Sequence, residues 1–289
     1  SKYQVDRLLL TLTGVLVLFG LVMLTSASAP VGYTEFNDTY YFIKRQILFG
    51  LLPGLLLFLI CLRIDYKIWY KLSGIIYLVS LVLLVLVFIP GIGLVINGAR
   101  SWIQVFGYSF QPAEFAKLAL VMVMATMLSD PERDLNDWKN GLLPILLIIL
   151  PSIVLIGLQP DIGTLSILAV TIFVILYLAG VKKTYLSILG LVAALAFVLL
   201  LVMAPYRVQR LNTFLHPELD PMGVGYQINQ SFLAVGSGGW WGLGLGHSRQ
   251  KFQYLPEVHA DSIFAIIAEE MGFVVALGLI LLIAFIGLR

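Results

Sequence analysis

Eight apolar runs, each close to the length of a membrane crossing, take up most of this chain. Spanning about 30 Å of hydrocarbon needs about 20 helical residues, with a working range of about 17–25. The runs are Leu8–Ser26, Ile43–Leu62, Leu72–Ile89, Ala113–Leu128, Gly141–Gly157, Gly163–Gly180, Leu186–Ala204 and Ser262–Leu288. They are long and continuous, whereas the other spanning solution, a closed β-barrel, needs short alternating segments. The fold class expected is therefore an all-α polytopic membrane protein of about eight helices. It reads as one membrane-embedded domain over residues 1–289, with a large extracytoplasmic loop at 204–261 before the last span. Composition excludes a soluble alternative. Charged residues make up 12% of the chain and apolar residues 60%, against about 25% charge in a soluble domain. So few charges cannot cover a water-facing surface.

The first run is too long for a cleavable signal and reads as a retained span. The chain starts at Ser1 without methionine and stops at Arg289 just after a span, so it reads as a piece of a longer protein. Cys61 is the single cysteine and excludes an internal disulfide. Orientation follows from the short loops. With the N-terminus inside, the cytoplasmic side holds Lys2, Arg7, Arg63, Lys67, Lys71, Arg133, Lys139, Lys182, Lys183 and Arg289, as the positive-inside rule requires. Lys44 and Arg45 then fall at the outer end of the second span and snorkel to head groups. No internal repeat is found, which disfavours an inverted-repeat transporter.

Two regions interrupt the helices. The stretch Pro90–Gln104 is apolar and glycine-rich, and is expected to lie in the outer interface or to re-enter the membrane. Leu158–Gly163 joins two spans with almost no loop, and its proline and glycine point to non-helical backbone. Such backbone is tolerated at membrane depth only against protein or a wet cavity.

Charges near the spans are the functional candidates, because they are costly to desolvate. Glu114 and Lys117 share a helical face, either as an interfacial ion pair or pointing into a polar cavity. Asp161, with Gln159 beside it, either caps the next helix or caps it and lines a site. Arg100 sits beside Trp102, either on a lipid phosphate or snorkelling. Arg207 and Arg210 follow the seventh span, and guanidinium forks match phosphate oxygens.

The segment Pro205–Ala260 is the only long polar stretch. Its glycines at 236–246 formally match nucleotide-binding patterns, but no strand–turn–helix context surrounds them, so a dinucleotide site is rejected. The glycines instead allow tight turns that press backbone onto the membrane surface, with Trp240 and Trp241 in an interfacial belt. His216, His247 and His259 are too scattered for a zinc site. Glu257, His259 and Asp261 lie close together, and Asp261 either caps the last helix or is a catalytic carboxylate. Glu269 and Glu270 follow within that apolar helix and must face protein or water. Glu269 falls on the same helical face as Asp261.

Several stretches resemble the shape, elongation, division and sporulation family of peptidoglycan glycosyltransferases. They are Asn97-Gly-Ala-Arg-Ser-Trp-Ile103, Gln111-Pro-Ala-Glu-Phe-Ala-Lys-Leu118, Gln159-Pro-Asp-Ile-Gly-Thr164, Arg207-Val-Gln-Arg210, Gly225-Tyr-Gln227, Gln230-Ser231, Gly236-Ser-Gly-Gly239 and Leu255-Pro-Glu-Val-His-Ala-Asp-Ser-Ile-Phe264. They occur in the family's order and cover most of the chain. The run Gly246–Pro256 looks more like the FtsW branch than the RodA branch. Two departures stand out: Ala260 where the family usually has threonine, and Ser101 where a second basic residue is usual. Members typically have ten spans, so the resemblance implies that the last two are missing here.

The resemblance implies a polymerase of lipid II, the undecaprenyl-pyrophosphate-linked disaccharide-peptide, working beside a class B penicillin-binding protein of the division or elongation machinery. The location it implies is the bacterial cytoplasmic membrane, with chemistry at the outer face and no nucleic acid involved. Asp261 matches the essential aspartate and is expected to be the general base. Arg100, Arg207 and Arg210, with Gln230 and Ser231, are expected to hold the pyrophosphate. Glu114, Lys117, Gln159, Asp161, Glu257, His259 and Glu269 form the supporting polar network. A divalent cation, Mg or Mn, is a candidate cofactor with ligands unassigned, and no organic cofactor is expected. The competing readings are a transporter flipping lipid II and a non-enzymatic scaffold of a cell-wall synthase.

Overall fold

The computed structural model describes residues 6–96, 99–105, 108–203, 205–223 and 225–289. In chain order they form α1 (Arg7–Phe36) and then α2 (Tyr41–Arg45), which runs through a π-helical turn at Gln46–Leu51 into α3 (Leu52–Arg63). After α4 (Tyr66–Leu86) come three strands, β1 (Gly93–Ile96), β2 (Ala99–Val105) and β3 (Tyr108–Phe110). The helices α5 (Pro112–Leu128), α6 (Leu143–Leu158), α7 (Ile162–Leu178) and α8 (Lys183–Val202) follow. The chain ends with α9 (Pro205–Leu215), α10 (Tyr226–Gly238) and α11 (Ile263–Leu288).

Every apolar run becomes helix. Among the described residues six helices are long and apolar enough to cross a membrane: Arg7–Phe36, Tyr41–Arg63, Tyr66–Leu86, Trp138–Leu158, Lys183–Val202 and Ile263–Leu288. The other two expected spans, α5 and α7, have 17 residues each. That is the lower edge of the spanning range. α1 continues well past Ser26, because the small residues that follow are helix-compatible. Pro30 lies inside it, and the helix stops at Asn37, whose left-handed backbone (φ 52°) returns its N–H to the last turn.

The described residues fall into two compact units. One comprises the chain before Cys61 and after Met203. Here α1 packs on α11 and α2, and α10 packs on α11. Its core uses small side chains, with Ala27, Ala234 and Ala265 beside Leu255, Val258 and Ile266. Small residues let apolar helices approach closely where no hydrophobic effect drives them together.

The other unit runs from Cys61 to Met203. α4, α5, α6 and α7 share a core that includes Leu84, Leu120, Met124, Ile149, Ile156 and Leu168. Tyr77 hydrogen-bonds through its hydroxyl to the Ile148 carbonyl and lies 3.0 Å from the Ser152 hydroxyl. The glycine-rich stretch that interrupts the helices after α4 forms an antiparallel meander, β1-β2-β3. Gly93 pairs with Ile103, Ile96 with Ala99, and Ile103 with Phe110. The alternation in Ala99–Val105 explains it, since Ser101 and Ile103 are buried while Trp102 and Gln104 are less so.

Candidate active site

α11 is not a continuous helix. Gly272 has φ 80° and ψ 174°, which breaks the hydrogen-bond ladder in its first half. The freed groups are taken up by the glycine-rich segment after α10. The N–H groups of Leu243 and Gly244 donate to the carbonyls of Glu269 and Glu270, both at 2.9 Å. Phe273 and Val274 donate in turn to the carbonyls of Gly239 (2.9 Å) and Trp240 (3.3 Å). Contact this close needs glycine. A Cβ on Gly238 would stand 2.1 Å from the Ala268 carbonyl oxygen, and one on Gly242 would stand 2.2 Å from that of Glu270. The expectation that these glycines press onto the membrane surface is thus corrected: they press onto α11. The broken backbone is covered by protein, as its burial in a membrane protein demands. Trp240 and Trp241 are left 68% and 81% exposed.

Beside the break, Glu269 and Glu270 are 1% and 0% exposed. Each carboxylate grips the turn that follows the glycines. Glu269 accepts from the Ser248 hydroxyl and from the Arg249 N–H at 2.9 Å. Glu270 accepts from the Ser26 hydroxyl of α1 (2.7 Å) and pairs with Lys251 at 2.8 Å. Ser26, Ser248 and Lys251 were not singled out from the sequence. Lys251 reads there as one more polar loop residue, and nothing local reveals its buried partner 19 positions on.

Asp261 stands at the other end of this loop. It is exposed, and among the described residues no hydrogen bond or ion pair engages its carboxylate. It does not cap α11. Ser262 occupies that position, without a side-chain cap bond. The reason lies in Glu257, whose left-handed backbone (φ 52°) turns the chain so that its carbonyl accepts from both Ala260 (3.0 Å) and Ser262 (3.1 Å). Asp261 is carried out of the capping position by that turn. Leu255 and Val258 anchor the loop in the core, and the Gln227 amide donates to the Ser262 hydroxyl at 3.1 Å.

His259 is stacked on Phe42, ring centroids 4.0 Å apart, with Nε2 3.7 Å from the Glu257 carboxylate. It borders a cavity of about 350 Å³ lined also by Leu24, Phe42, Arg45, Gln46 and Phe49. Ser231 donates its hydroxyl within its own helix, to the Gln227 carbonyl at 2.8 Å, and Gln230 lies half-buried on α10. Arg207 and Arg210 belong to α9, and their side chains lie outside the described residues.

In the second unit, Asp161 caps α7 and also reaches further. It accepts from the Thr164 N–H (3.1 Å), the Thr164 hydroxyl (2.8 Å) and the Gln111 amide (2.8 Å). Gln159 is fully buried, donates to the Leu84 carbonyl at 3.3 Å, and leaves its amide oxygen without a partner. Glu114 and Lys117 pair at 2.8 Å on α5. Arg100, on β2, points one N–H at the Phe88 carbonyl at 3.5 Å. The supporting residues therefore form separate small groups within their own units.

The profile of the FtsW, RodA and SpoVE family, described as cell cycle protein, matches residues 6–289. The chain belongs to that family. It is 43% identical over 274 residues to stage V sporulation protein E of Bacillus subtilis, covering 95% of this chain and 75% of that one. It is 41% identical over 271 residues to the probable peptidoglycan glycosyltransferase FtsW of Trichlorobacter lovleyi, covering 94% and 71%. Among solved structures it resembles a chain from a study of polymerization and crosslinking by a peptidoglycan synthase complex, with TM-score 0.72, 29% identity and coverage of 97% and 75%. It also resembles the rod shape determining protein RodA of Thermus thermophilus, with TM-score 0.65, 27% identity and coverage of 99% and 74%. As an FtsW, RodA and SpoVE family member it is a multi-pass helical membrane protein, with Asp261 presented on an anchored loop at the head of a broken helix.

Proposed function

We propose that this chain is a peptidoglycan glycosyltransferase that polymerises lipid II at the outer face of the bacterial cytoplasmic membrane, with its N-terminus in the cytoplasm. The observation that carries the reading is Asp261. It is an exposed carboxylate free of partners among the described residues, at the head of a helix whose own acids, Glu269 and Glu270, are both engaged. Relatives about 40% identical bear the name of that activity.

Extension joins a sugar 4-hydroxyl to the anomeric carbon of a lipid-linked glycan, and the lipid pyrophosphate leaves. A hydroxyl is a weak nucleophile at neutral pH. Asp261 takes its proton as the new C–O bond forms, a contribution of typically about 10²–10⁴-fold for a placed general base. The departing pyrophosphate collects negative charge that fixed cations stabilise. Arg207 and Arg210 are assigned that role, with Gln230 and Ser231 as polar contacts. Among the described residues no three His, Cys, Asp or Glu side chains are grouped to hold a metal ion. A divalent cation such as Mg or Mn therefore enters this reading as a counter-ion of the substrate's own phosphates, and no step is assigned to it. The partner is a class B penicillin-binding protein, which crosslinks the glycan product.

The test is incubation of the purified protein with lipid II, with and without a divalent cation. The parent is expected to form glycan strands and folded Asp261→Asn is expected to form none. Polymerisation by Asp261→Asn at the parent rate overturns the assignment.

A further inference from the structure

Lys251 is 4% exposed and Glu270 is 0% exposed, yet both carry charge deep in an apolar protein. Burying such a pair costs more desolvation than a hydrophobic pair of the same size, and hydrophobic replacements are often equally stable. The pair thus needs a reason other than stability. Its geometry supplies one. The ammonium has three N–H groups and three acceptors, each from a different part of the chain. They are the Glu270 carboxylate of α11 (2.8 Å), the Gly246 carbonyl of the glycine turn (2.8 Å) and the Ser26 hydroxyl of α1 (3.2 Å). Glu270 in turn receives the Ser26 hydroxyl at 2.7 Å.

The pair also closes a loop. Asp261 lies ten residues after Lys251 and nine before Glu270, so it sits at the midpoint of the segment whose two ends the ion pair joins. From this we infer that Lys251 and Glu270 are positioning residues, a non-covalent staple across the base of the Asp261 loop that holds the carboxylate in register with α11. Leu255 and Val258 fix the middle of the first arm in the core, and the helix itself stiffens the second. Glu269 adds a parallel grip on Ser248 and Arg249. The two adjacent acids thereby tie the same turn to α11 at two points. With the staple in place, the loop can move at its tip and not at its root.

The inference rests on Asp261 being the catalytic base, and the experiment separates the two. Removing one charge alone strands the other, so the informative variant is Lys251→Met/Glu270→Gln, in which both charges go together. Its thermal unfolding in detergent is expected to match the parent closely. With lipid II, kcat is expected to fall about 10-fold or more, since a displacement of about 1 Å at a reacting group costs on that order or beyond. KM is expected to stay within about twofold, because substrate binding as such is untouched. Lys251→Arg, which keeps a buried cation, is expected to restore part of the rate.

A second readout does not depend on activity. A spin label on Ala260→Cys, in a Cys61→Ser background, is expected to become more mobile in the double variant. If the double variant does not fold, Ser26→Ala, which removes the hydroxyl's hydrogen bonds to Glu270 and Lys251 and no charge, carries the same measurements. A folded variant with parent kcat and unchanged label mobility overturns the staple. A parent that makes no glycan from lipid II overturns the proposed function instead, and the label still decides the staple.

Discussion

Gly242 and Gly272 meet backbone to backbone. A Cβ on Gly272 would lie 2.4 Å from the Gly242 nitrogen, and both residues have φ of 80°. The contact places a left-handed glycine of the loop against the left-handed glycine that breaks α11. It is the point at which the two segments exchange hydrogen bonds.

Alanine at either position is expected to be destabilising for two reasons. The left-handed backbone costs an L-residue about 1–2 kcal/mol, and the methyl has nowhere to go. Gly272→Ala and Gly242→Ala should each lower the thermal midpoint in detergent by several degrees. Gly278 in the same helix is the control, because a Cβ there meets nothing within 4 Å. Gly278→Ala should leave the midpoint unchanged or raise it slightly. Equal midpoints for Gly272→Ala and Gly278→Ala would mean that the contact is not tight.

Those two glycines also mark where the sequence stops being readable. The helices were legible because apolar length is a local signal: each of the eight runs became helix, and among the described residues six helices are long and apolar enough to cross a membrane. The helix break at Asp161 was legible for the same reason, from proline and glycine beside a capping aspartate. The sheet at 93–110 was hidden by the apolar character of the stretch, although the alternation in Ala99–Val105 suits a strand. The join between residues 239–244 and α11 left no clue at all. A glycine that makes room for another backbone looks the same in sequence as one that makes a turn. Lys251 and Ser26 were hidden likewise, because their partners lie in other elements. Asp261 was found as an acid at a helix entrance, and only the geometry showed that Ser262 takes the cap and leaves Asp261 exposed.

Asp161 does structural work that can be measured apart from any activity. It caps α7 and holds Gln111. Asp161→Ala loses both and should cost about 1–2 kcal/mol, the upper part of the range for a lost N-cap. Asp161→Asn keeps an oxygen that can accept from the Thr164 N–H, and should cost less. Thermal or denaturant unfolding of the two variants side by side tests this. An equal loss for Asn and Ala would show that the carboxylate's charge, not its capping geometry, is what matters.

Acid should loosen the turn between α1 and α2. The Lys44 ammonium, 2.7 Å away, and then the Tyr40 N–H hold the Asp38 carboxyl below its ordinary pKa. The Asn140 amide and the Lys139 N–H do the same for Asp137 before α6. A depressed carboxyl favours the folded state above the unfolded pKa of about 3.9. That contribution fades as pH falls from there through the folded value. Stability should therefore be flat in these groups from neutral pH to about pH 5 and decline below about pH 4. Asp38→Asn should lower neutral-pH stability slightly and make the decline shallower by the same small amount, so that parent and variant converge in acid. A decline that begins near pH 6 would point to histidine instead.

Trp240 and Trp241 are expected to mark how deep α11 sits. Gly272 breaks α11, and the part after it, 273–288, rises about 24 Å at 1.5 Å per residue, a little short of the roughly 30 Å of hydrocarbon. The Trp240 ring meets the Phe273 ring edge-on, centroids 5.3 Å apart, and tryptophan favours the membrane–water interface. The hydrocarbon boundary is thus expected near the Gly272 break, with Ile263–Met271, the buried acids and Asp261 above it. With Trp69, Trp102 and Trp138 replaced by Phe, the remaining fluorescence should be quenched best by lipids brominated close to the head group. Stronger quenching by bromines near the chain ends would put the pair at mid-bilayer and draw Asp261 down towards the lipid.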